Sequence, residues 1–276
     1  MSPSPPRGAG PALLISIGLI FLTLTVLLPV LTVFVEAFAG GLAVYLEAIN
    51  RPEAIHALQL TLLTTLIAVP LNTVFGLLIS WILSRGGFRG RALILALLDL
   101  PLSISPIVVG FMFILLFSPE VGWFADAVNA SGTKVVFATP GLVLTLLFVT
   151  VPFVAREVFP ALQDVSREEE EAALTLGAST WQTFRKVTFP HIRPALIYGV
   201  ILCTARGVGE FGAISVVSGK IISATNTLTL HVERTYLEYD ATAAFACASL
   251  LGSVAVLSLL IQTLIRRGNG GTIGQR

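Results

Sequence analysis

The sequence predicts an all-α, polytopic membrane protein with six transmembrane helices. Three observations carry this prediction: 55% of the 276 residues are hydrophobic, 12% are charged, and long apolar runs recur along the chain. Soluble domains contain about 25% charged residues, roughly twice the share found here. The mean hydropathy of +0.88 agrees with a bilayer environment. The formal net charge of +1 gives no reason to expect a nucleic-acid partner, and membrane lipid is the expected surrounding.

Six apolar runs are long enough to cross a membrane, because about twenty helical residues at a rise of 1.5 Å span a hydrocarbon core of roughly 30 Å. They occupy residues 12–35, 55–83, 92–117, 141–162, 195–217 and 241–265. The first run could be a signal peptide, since Ala37-Phe38-Ala39 resembles a cleavage site. Its apolar core is about twice the usual length of ~7–15 residues, so we expect a retained helix. We expect one transmembrane domain over residues 1–276.

The basic residues predict the orientation of these helices, because positively charged loops stay in the cytoplasm. With both termini in the cytoplasm, the basic residues counted on the inner side are Arg7, Arg85, Arg89, Arg91, Arg156, Arg167, Arg185, Lys186, Arg193, Arg266, Arg267 and Arg276. Arg156 is counted there although it falls near the end of the fourth run. The outer loops then hold Arg51, Lys134, Lys220 and Arg234. Arg206 lies within a span. The bias of about three to one favours cytoplasmic termini.

The most polar segment of the chain lies between the fourth and fifth runs, over residues 163–194, and its first half predicts a short helix. Ser166 and Glu169 match a capping box, so Ser166 can cap a helix over residues 167–176. Glutamates in the first turns suit the positive end of the helix dipole. Gly177 has the position of a glycine that ends a helix.

The second half of this segment predicts another short helix. Ser179 and Gln182 match a second capping box. Pro190 is expected to end the helix, because proline cannot donate a backbone hydrogen bond. Trp181 and Phe184 lie on one side of it, and an exposed apolar patch rimmed by charge marks an interface. A helix lying in the lipid headgroup layer is the alternative that the residue pattern leaves open.

The stretch EAALTLGASTWQTFRKVTFP resembles the EAA loop of ABC-importer permeases. The positions in register are Glu171, Ala172, Ala173, Gly177, Val187, Phe189 and Pro190. Val187 and Phe189 replace the commoner Ile and Leu of the pattern. The resemblance implies the type I ABC-importer permease fold, with a coupling helix over about residues 176–186, including Trp181 and Phe184, that inserts into a groove of an ATPase subunit.

Two further stretches, LLDLPLSISPIVVGF at 97–111 and ARGVGEFGAISVVSG at 205–219, resemble sulfate/thiosulfate ABC-importer permeases of the CysW type. The resemblance implies four expectations: an ABC ATPase dimer, a homologous second permease subunit, an extracytoplasmic sulfate-binding protein, and a location in the bacterial inner membrane. Molybdate permeases share a similar G-E-F-G-A stretch, so molybdate or tungstate stays open as the cargo.

The chain is not expected to bind ATP itself. Gly207, Gly209 and Gly212 spell G-x-G-x-x-G, but that fingerprint requires a preceding strand and a βαβ unit. No G-x-x-x-x-G-K-[ST] occurs either, so ATP and Mg²⁺ are assigned to the partner ATPase and no cofactor to this chain.

An enzyme is not expected, and neither is a metal site. His56, His191 and His231 are isolated in the sequence, and Cys203 and Cys247 lie inside apolar runs, where cysteine behaves as a small hydrophobe. A secondary transporter would also have broken helices and intramembrane charges. It would not need a loop that docks on an ATPase.

Two residues of the fifth run, Arg206 and Glu210, are ionisable, and such residues are costly in hydrocarbon. They are four apart, so they share a helix face and can pair. Two interpretations stay open: an ion pair that holds the helix in the bundle, or a role in anion passage or gating. Gly209, Phe211 and Gly212 flank Glu210 and complete the candidate translocation path, since the glycines loosen the helix there.

Asp99 in the third run is the remaining intramembrane charge. It precedes Pro101 and Pro106, and prolines in a span mark a kink or break that faces protein or water. Asp99 either caps the half-helix that follows or lines the path. In the fifth run, small residues form a ridge, Gly199, Cys203 and Gly207, that allows a neighbouring helix to approach closely.

Overall fold

A computed structural model describes residues 9–87 and 89–269, and this part of the chain is helical with no strand. The α-helices are α1 (Ala9–Leu22), α2 (Leu28–Ala37), α3 (Gly41–Asn50), α4 (Pro52–Arg85), α5 (Arg91–Ser103), α6 (Pro106–Phe117), α7 (Ala125–Ser131), α8 (Thr139–Asp164), α9 (Arg167–Thr175), α10 (Thr180–Thr183), α11 (Phe189–Val208), α12 (Gly212–Val217), α13 (Leu228–Leu237) and α14 (Ala241–Asn269). A π-helical turn joins α1 to α2, and another, Phe184–Thr188, joins α10 to α11. Arg7 and Arg276, used above for the topology, lie outside the described residues.

The all-α, multi-span prediction is confirmed. Five helical stretches among the described residues are long and apolar enough to cross a membrane: Leu13–Ala37, Pro52–Arg85, Thr139–Asp164, Thr180–Val208 and Ala241–Ile265. A sixth results if α5 and α6 together form one span. Arg156, predicted to lie in a cytoplasmic loop, is inside α8.

The third predicted span, residues 92–117, is not one straight helix. It divides into α5 and α6, which are bent by 108° relative to each other. The cause is Pro106, because the residue before a proline is driven out of the helical region. Ser105 accordingly has φ −57° and ψ 132°.

The fifth predicted span, residues 195–217, differs at both ends. The helix runs without interruption from Thr180, so the expected stop at Pro190 is wrong. The π turn before it makes this continuity possible: Phe189 N–H bonds to the carbonyl of Phe184, and Pro190 falls in the first turn of α11, where its missing N–H is tolerated. At the other end α11 stops at Val208, and a short break precedes α12.

Helix α8 lies at the centre of the bundle and packs against α4 and α11. The contacts depend on small residues: a Cβ on Gly76 of α4 would lie 2.9 Å from Val154 Cβ, and one on Gly199 of α11 would lie 3.0 Å from Val154 Cα. Cys203, one turn further, donates to the carbonyl of Thr150 at 3.7 Å. The small-residue ridge of α11 therefore faces α8, as its spacing predicts.

The two half-helices α6 and α12 pack against each other in the same way. A Cβ on Gly110 would lie 2.6 Å from the Cβ of Val216, and one on Gly212 would lie 2.9 Å from the Cβ of Pro106. Side chains larger than hydrogen at these glycines would push the half-helices apart. The break that follows α11 is therefore held against the break that precedes α6.

Charged residues divide between the two ends of α4, which at 34 residues is about 50 Å long. At its beginning, Arg51 pairs with Asp240 at 2.6 Å and Glu53 pairs with Arg234. At its other end, Arg85 pairs with Glu170 of α9. Arg51 and Arg234, predicted for the outer side, thus lie at the opposite end of α4 from Arg85, predicted for the inner side.

Candidate functional site

Within the polar segment, we call residues 166–188 the docking segment. It begins with a capped helix. Ser166 Oγ accepts from the N–H of Glu168 at 3.2 Å, so the cap is present, but its partner differs from the predicted capping box. The Glu169 carboxylate instead faces His191 Nε2 at 3.7 Å. Three acidic residues occupy the first turn of α9 and suit the positive end of its dipole.

Helix α9 ends in a Schellman motif at Gly177. The N–H of Ala178 bonds to the carbonyl of Ala173 and that of Gly177 to Leu174, each at 3.0 Å. Gly177 has φ +88°, in the left-handed region that glycine adopts without strain. This glycine turns the chain sharply.

The second capping box of the docking segment is present as predicted. Ser179 Oγ accepts from the N–H of Gln182 at 3.3 Å, and Gln182 Oε1 accepts from the N–H of Ser179 at 2.9 Å. Both bonds satisfy donors that the first helical turn leaves free. The box begins α10, which continues through the π turn into α11.

The turn between α9 and α10 presents an apolar surface. Leu176 is 88% exposed and Trp181 is 67% exposed, and Leu174 lies beside them with half its surface free. We call these three residues the docking surface. Glu171 and Ala172 are exposed next to it, as are Gly177 and Pro190, whereas Ala173 is half-buried.

Phe184 was expected to be exposed with Trp181 but is half-buried, and it packs against the Trp181 ring on the bundle side. Its ring stacks on Trp181 at 5.6 Å between centroids and meets Trp81 of α4 edge-on at 5.3 Å. The guanidinium of Arg85 lies 5.8 Å from the Trp81 ring centre. The exposed tryptophan is therefore the end of an aromatic stack that begins inside the bundle.

An ion-pair network that the sequence analysis missed fastens the docking segment to α4. Glu170 Oε1 accepts from Arg85 Nη2 at 2.7 Å and from Thr188 Oγ1 at 2.6 Å. Arg167 Nη2 also donates to the carbonyl of Ser84 at 3.2 Å. The sequence contains one signal for this network, namely four consecutive glutamates in one short helix. Their order does not indicate that Glu170 is the one that pairs with Arg85.

The predicted pair in the candidate path is present. Arg206 Nη1 lies 2.5 Å from Glu210 Oε2, and the Glu210 side chain has no exposed surface. Glu210 Oε1 accepts from the N–H of Ala213 at 2.8 Å, so this carboxylate also caps α12. The Glu210 carbonyl accepts from Thr229 Oγ1 at 2.9 Å. Glu210 therefore joins the end of α11, the start of α12 and α13 at one point.

The other predicted path residues lie around this point. Gly209 and Phe211 are exposed, and Gly212 contacts the first residue of α6. The break therefore has an exposed side at Phe211 and a buried side at Glu210.

Asp99 does not cap α6, so that interpretation is wrong. Ser105 occupies the N-cap position, without a side-chain hydrogen bond. Asp99 lies within α5, too early in the chain to reach the first turn of α6 after the 108° bend. Its Oδ1 accepts from Arg156 Nε of α8 at 2.9 Å.

At the opposite end of the bundle, outside the candidate spans, three groups have shifted pKa values. Burial lowers the pKa of His231 on α13, and the neighbouring Arg234 lowers it further, because both disfavour the imidazolium. The hydrogen bond from Arg51 to Asp240 lowers the pKa of Asp240 and raises that of Arg51. The side chains of Arg51 and Asp240 are 47% and 39% exposed, so their ion pair contributes little to the stability of the fold.

The fold and these sites together define a membrane-embedded permease subunit. The chain belongs to the family described as the binding-protein-dependent transport system inner membrane component, whose profile matches residues 72–269.

Within this family the chain is similar to named sulfate permeases. It is 47% identical to the sulfate transport system permease protein CysW of a Synechocystis species, over 94% of this chain and 93% of that protein. It is 42% identical to CysW of Escherichia coli K12, with coverages of 95% and 89%. It is 50% identical to the chloroplastic sulfate permease 2 of Chlamydomonas reinhardtii, with coverages of 91% and 68%. The resemblance to this group of permeases is confirmed.

Solved structures share the fold. A bacterial ABC transporter involved in the import of the acidic polysaccharide alginate superimposes with a TM-score of 0.74, at 16% identity, over 95% of this chain and 96% of that one. The MetNI methionine ABC transporter, in inward-facing conformations, gives 0.53 at 22% identity, over 78% and 92% of the two chains. The predicted ABC-permease fold is confirmed.

Proposed function

We propose that this chain is a permease subunit of an ATP-driven importer that carries sulfate or thiosulfate across the bacterial inner membrane. Similarity to sulfate permeases over nearly the whole chain supports the cargo. The observation that carries the mechanism is the docking surface of Leu174, Leu176 and Trp181, which is backed by the Phe184 and Trp81 rings at one end of the bundle. A contiguous patch of exposed apolar side chains rimmed by charged residues marks an interaction site, and we assign this one to another protein.

The proposed partners divide between the two ends of the bundle. An ABC ATPase dimer binds the docking surface in the cytoplasm and carries ATP and Mg²⁺, so this chain has no cofactor and catalyses no reaction itself. An extracytoplasmic sulfate-binding protein delivers the anion to the opposite end, where α13 lies. A homologous second permease completes the path. Both chain termini then lie in the cytoplasm, in agreement with the basic residues at the Arg85 end of α4.

Energy transfer follows from the continuity of one helical stretch. Residues Thr180–Val208 run from the docking surface to the Arg206–Glu210 break, about 43 Å at the helical rise. The Glu170–Arg85 pair also ties the docking segment to α4. When the ATPase pair closes on ATP, movement of the docking surface is transmitted along α11 to the break, because no flexible loop intervenes.

The break is the proposed control point for the anion. Arg206 is about one-third exposed, so its guanidinium can contact a passing oxyanion while Glu210 holds it in place from the buried side. Glu210 alone would repel a dianion, so the neighbouring Arg206 is essential to this role. Opening of α6 away from α12 would widen the path beside Phe211.

The test uses the complete importer in proteoliposomes, with labelled sulfate outside and ATP inside. We expect ATP-dependent uptake that requires the binding protein, and competition by molybdate decides between the two oxyanion classes. Trp181→Ala should abolish co-purification of the ATPase, whereas Trp123→Ala, which removes an exposed tryptophan from the segment between α6 and α7, should leave it unchanged. Uptake without ATP would support a secondary transporter and contradict the proposal.

A further inference from the structure

An ion pair between α5 and α8 has no role in the function proposed so far. Arg156 Nε donates to Asp99 Oδ1 at 2.9 Å, and the side chains are 55% and 49% exposed. The sequence analysis placed Arg156 in a loop, but it lies within a candidate span. The pair therefore presents a half-exposed arginine inside the bundle region.

The depth of this pair follows from its positions in the helices. Asp99 is eight residues from the start of α5 at Arg91, and Arg156 is eight residues from the end of α8 at Asp164. Each is thus about 12 Å from the end of its helix that lies nearer the docking segment. Ser80 of α4 bonds to the carbonyl of Ala155, which confirms the same level on the third helix.

Lipid is an unfavourable neighbour for this pair. Charged side chains within a span face the bundle interior or a water-filled cavity, because hydrocarbon cannot solvate them. A half-exposed ion pair also contributes little to stability. The packing between α5 and α8 comes instead from Leu98, Ala155 and Phe159. The pair is therefore not needed to hold the two helices together.

Arg156 and Arg206 lie at successive levels of the same bundle. Cys203 of α11 contacts Thr150 of α8 and sets the register between the helices. Arg156 is six residues below Thr150, and Arg206 is three residues above Cys203, so the two arginines are separated by about 13 Å along the axis. Along the bundle axis, Arg156 therefore lies nearer than Arg206 to the end that carries the docking segment.

The two arginines have carboxylate partners of different mobility. Glu210 is fully buried and also accepts from the backbone of Ala213, so it cannot leave its place without unmaking the start of α12. Asp99 is half-exposed, and Arg156 is the partner of its carboxylate within the described part of the chain. Asp99 can therefore swing away from Arg156 into water.

We propose that Arg156 is a second anion-binding site, on the cytoplasmic half of the path, and that Asp99 is its built-in competitor. The arriving oxyanion displaces Asp99 from Arg156, and the return of Asp99 expels the anion towards the cytoplasm. A path must bind its ion strongly enough to accept it and weakly enough to release it, and the mobile carboxylate provides the release. The inference rests on the proposed function, because it requires an anionic cargo.

The experiment measures how sulfate inside the proteoliposomes slows ATP-dependent uptake by the complete importer. Asp99→Asn removes the competing charge, so the internal sulfate concentration that halves uptake should fall about tenfold, the ratio expected from one charge-assisted bond. Arg156→Gln should raise that concentration by a similar factor. Arg91→Gln removes a positive charge at the same end but not from the pair, and should change it less than about twofold.

The opposite direction of the two effects identifies an anion site. If the pair is purely structural, both variants shift the inhibitory sulfate concentration in the same direction, or neither shifts it. The charge exchange, Asp99→Arg together with Arg156→Asp, would then restore the normal concentration. Either result overturns the proposal. Asn at position 99 still offers an oxygen that can accept from Arg156, so the Asp99→Asn variant keeps the contact between the two helices. Its shift in the inhibitory sulfate concentration therefore tests the proposal by itself if Arg156→Gln does not assemble. If the unaltered importer takes up no sulfate, the proposed function fails and this inference fails with it; normal uptake with unchanged inhibition by internal sulfate in both variants overturns this inference alone.

Discussion

The attachment of the docking segment to α4 depends on one carboxylate, and Glu170→Gln tests it. Glu170 Oε1 accepts from Arg85 and Thr188 at 2.7 and 2.6 Å, and the two charged side chains are 17% and 14% exposed. Glutamine keeps an acceptor for Thr188 but leaves Arg85 without its counter-charge. A hydrogen bond to a charged group contributes about 1.5–3 kcal/mol, so we expect a loss of about 2 kcal/mol.

Hydrogen exchange of the backbone amides over residues 167–188 measures this loss directly. A loss of about 2 kcal/mol corresponds to roughly 30-fold faster exchange through local opening. Sulfate carried per ATP hydrolysed should fall in the same variant, because a loosened segment transmits less of the movement of the ATPase.

The matched control is the neighbouring Glu169→Gln. Its carboxylate is 55% exposed and lies 3.7 Å from His191, so it should change exchange less than about fivefold. Equal exchange rates in the two variants would refute the assignment of the attachment to Glu170. A normal transport ratio in Glu170→Gln, despite faster exchange, would refute the link between attachment and coupling.

Four further predictions follow from the same structure. Arg206→Gln should abolish sulfate uptake while the importer still co-purifies as a complex; normal uptake would contradict its role in the path. Gly177→Ala places a side chain at φ +88°, with a strain of about 1–2 kcal/mol, and should lower transport per ATP without removing the chain from the membrane. Gly110→Val should reduce the folded yield in detergent, because its Cβ would lie 2.6 Å from that of Val216. Burial disfavours the imidazolium of folded His231, so stability should decrease as the pH falls below 6.5, where the unfolded imidazole takes up a proton; His231→Gln should weaken that dependence in thermal unfolding curves.

Much of the architecture could be predicted from local sequence signals. Apolar runs report on spans because their length is set by the bilayer, and the second capping box is encoded within four residues. The left-handed turn at Gly177 is likewise encoded locally, by the glycine itself. The pairing of Arg206 with Glu210 was predictable because a spacing of four puts both on one helix face.

The predictions from sequence were wrong where neighbouring hydrogen bonds or tertiary contacts overrode a local rule. Pro190 ends a helix by the simple rule, yet a π turn before it shifts the hydrogen bonds by one residue and carries the helix through. Phe184 has the pattern of an exposed residue, yet the approach of Trp81 from α4 half-buries it.

The apolar pattern and the EAA motif by themselves determined the class of protein and predicted the segment proposed to bind the ATPase, since both are written in neighbouring residues. Only the tertiary structure decided which charges meet. Asp99 finds Arg156 across 57 positions, and Arg85 finds Glu170 across 85. The Asp99–Arg156 pair depends on the packing of α5 against α8 through Leu98, Ala155 and Phe159. The Arg85–Glu170 pair depends on how closely α4 approaches α8, where a Cβ on Gly76 would lie 2.9 Å from that of Val154.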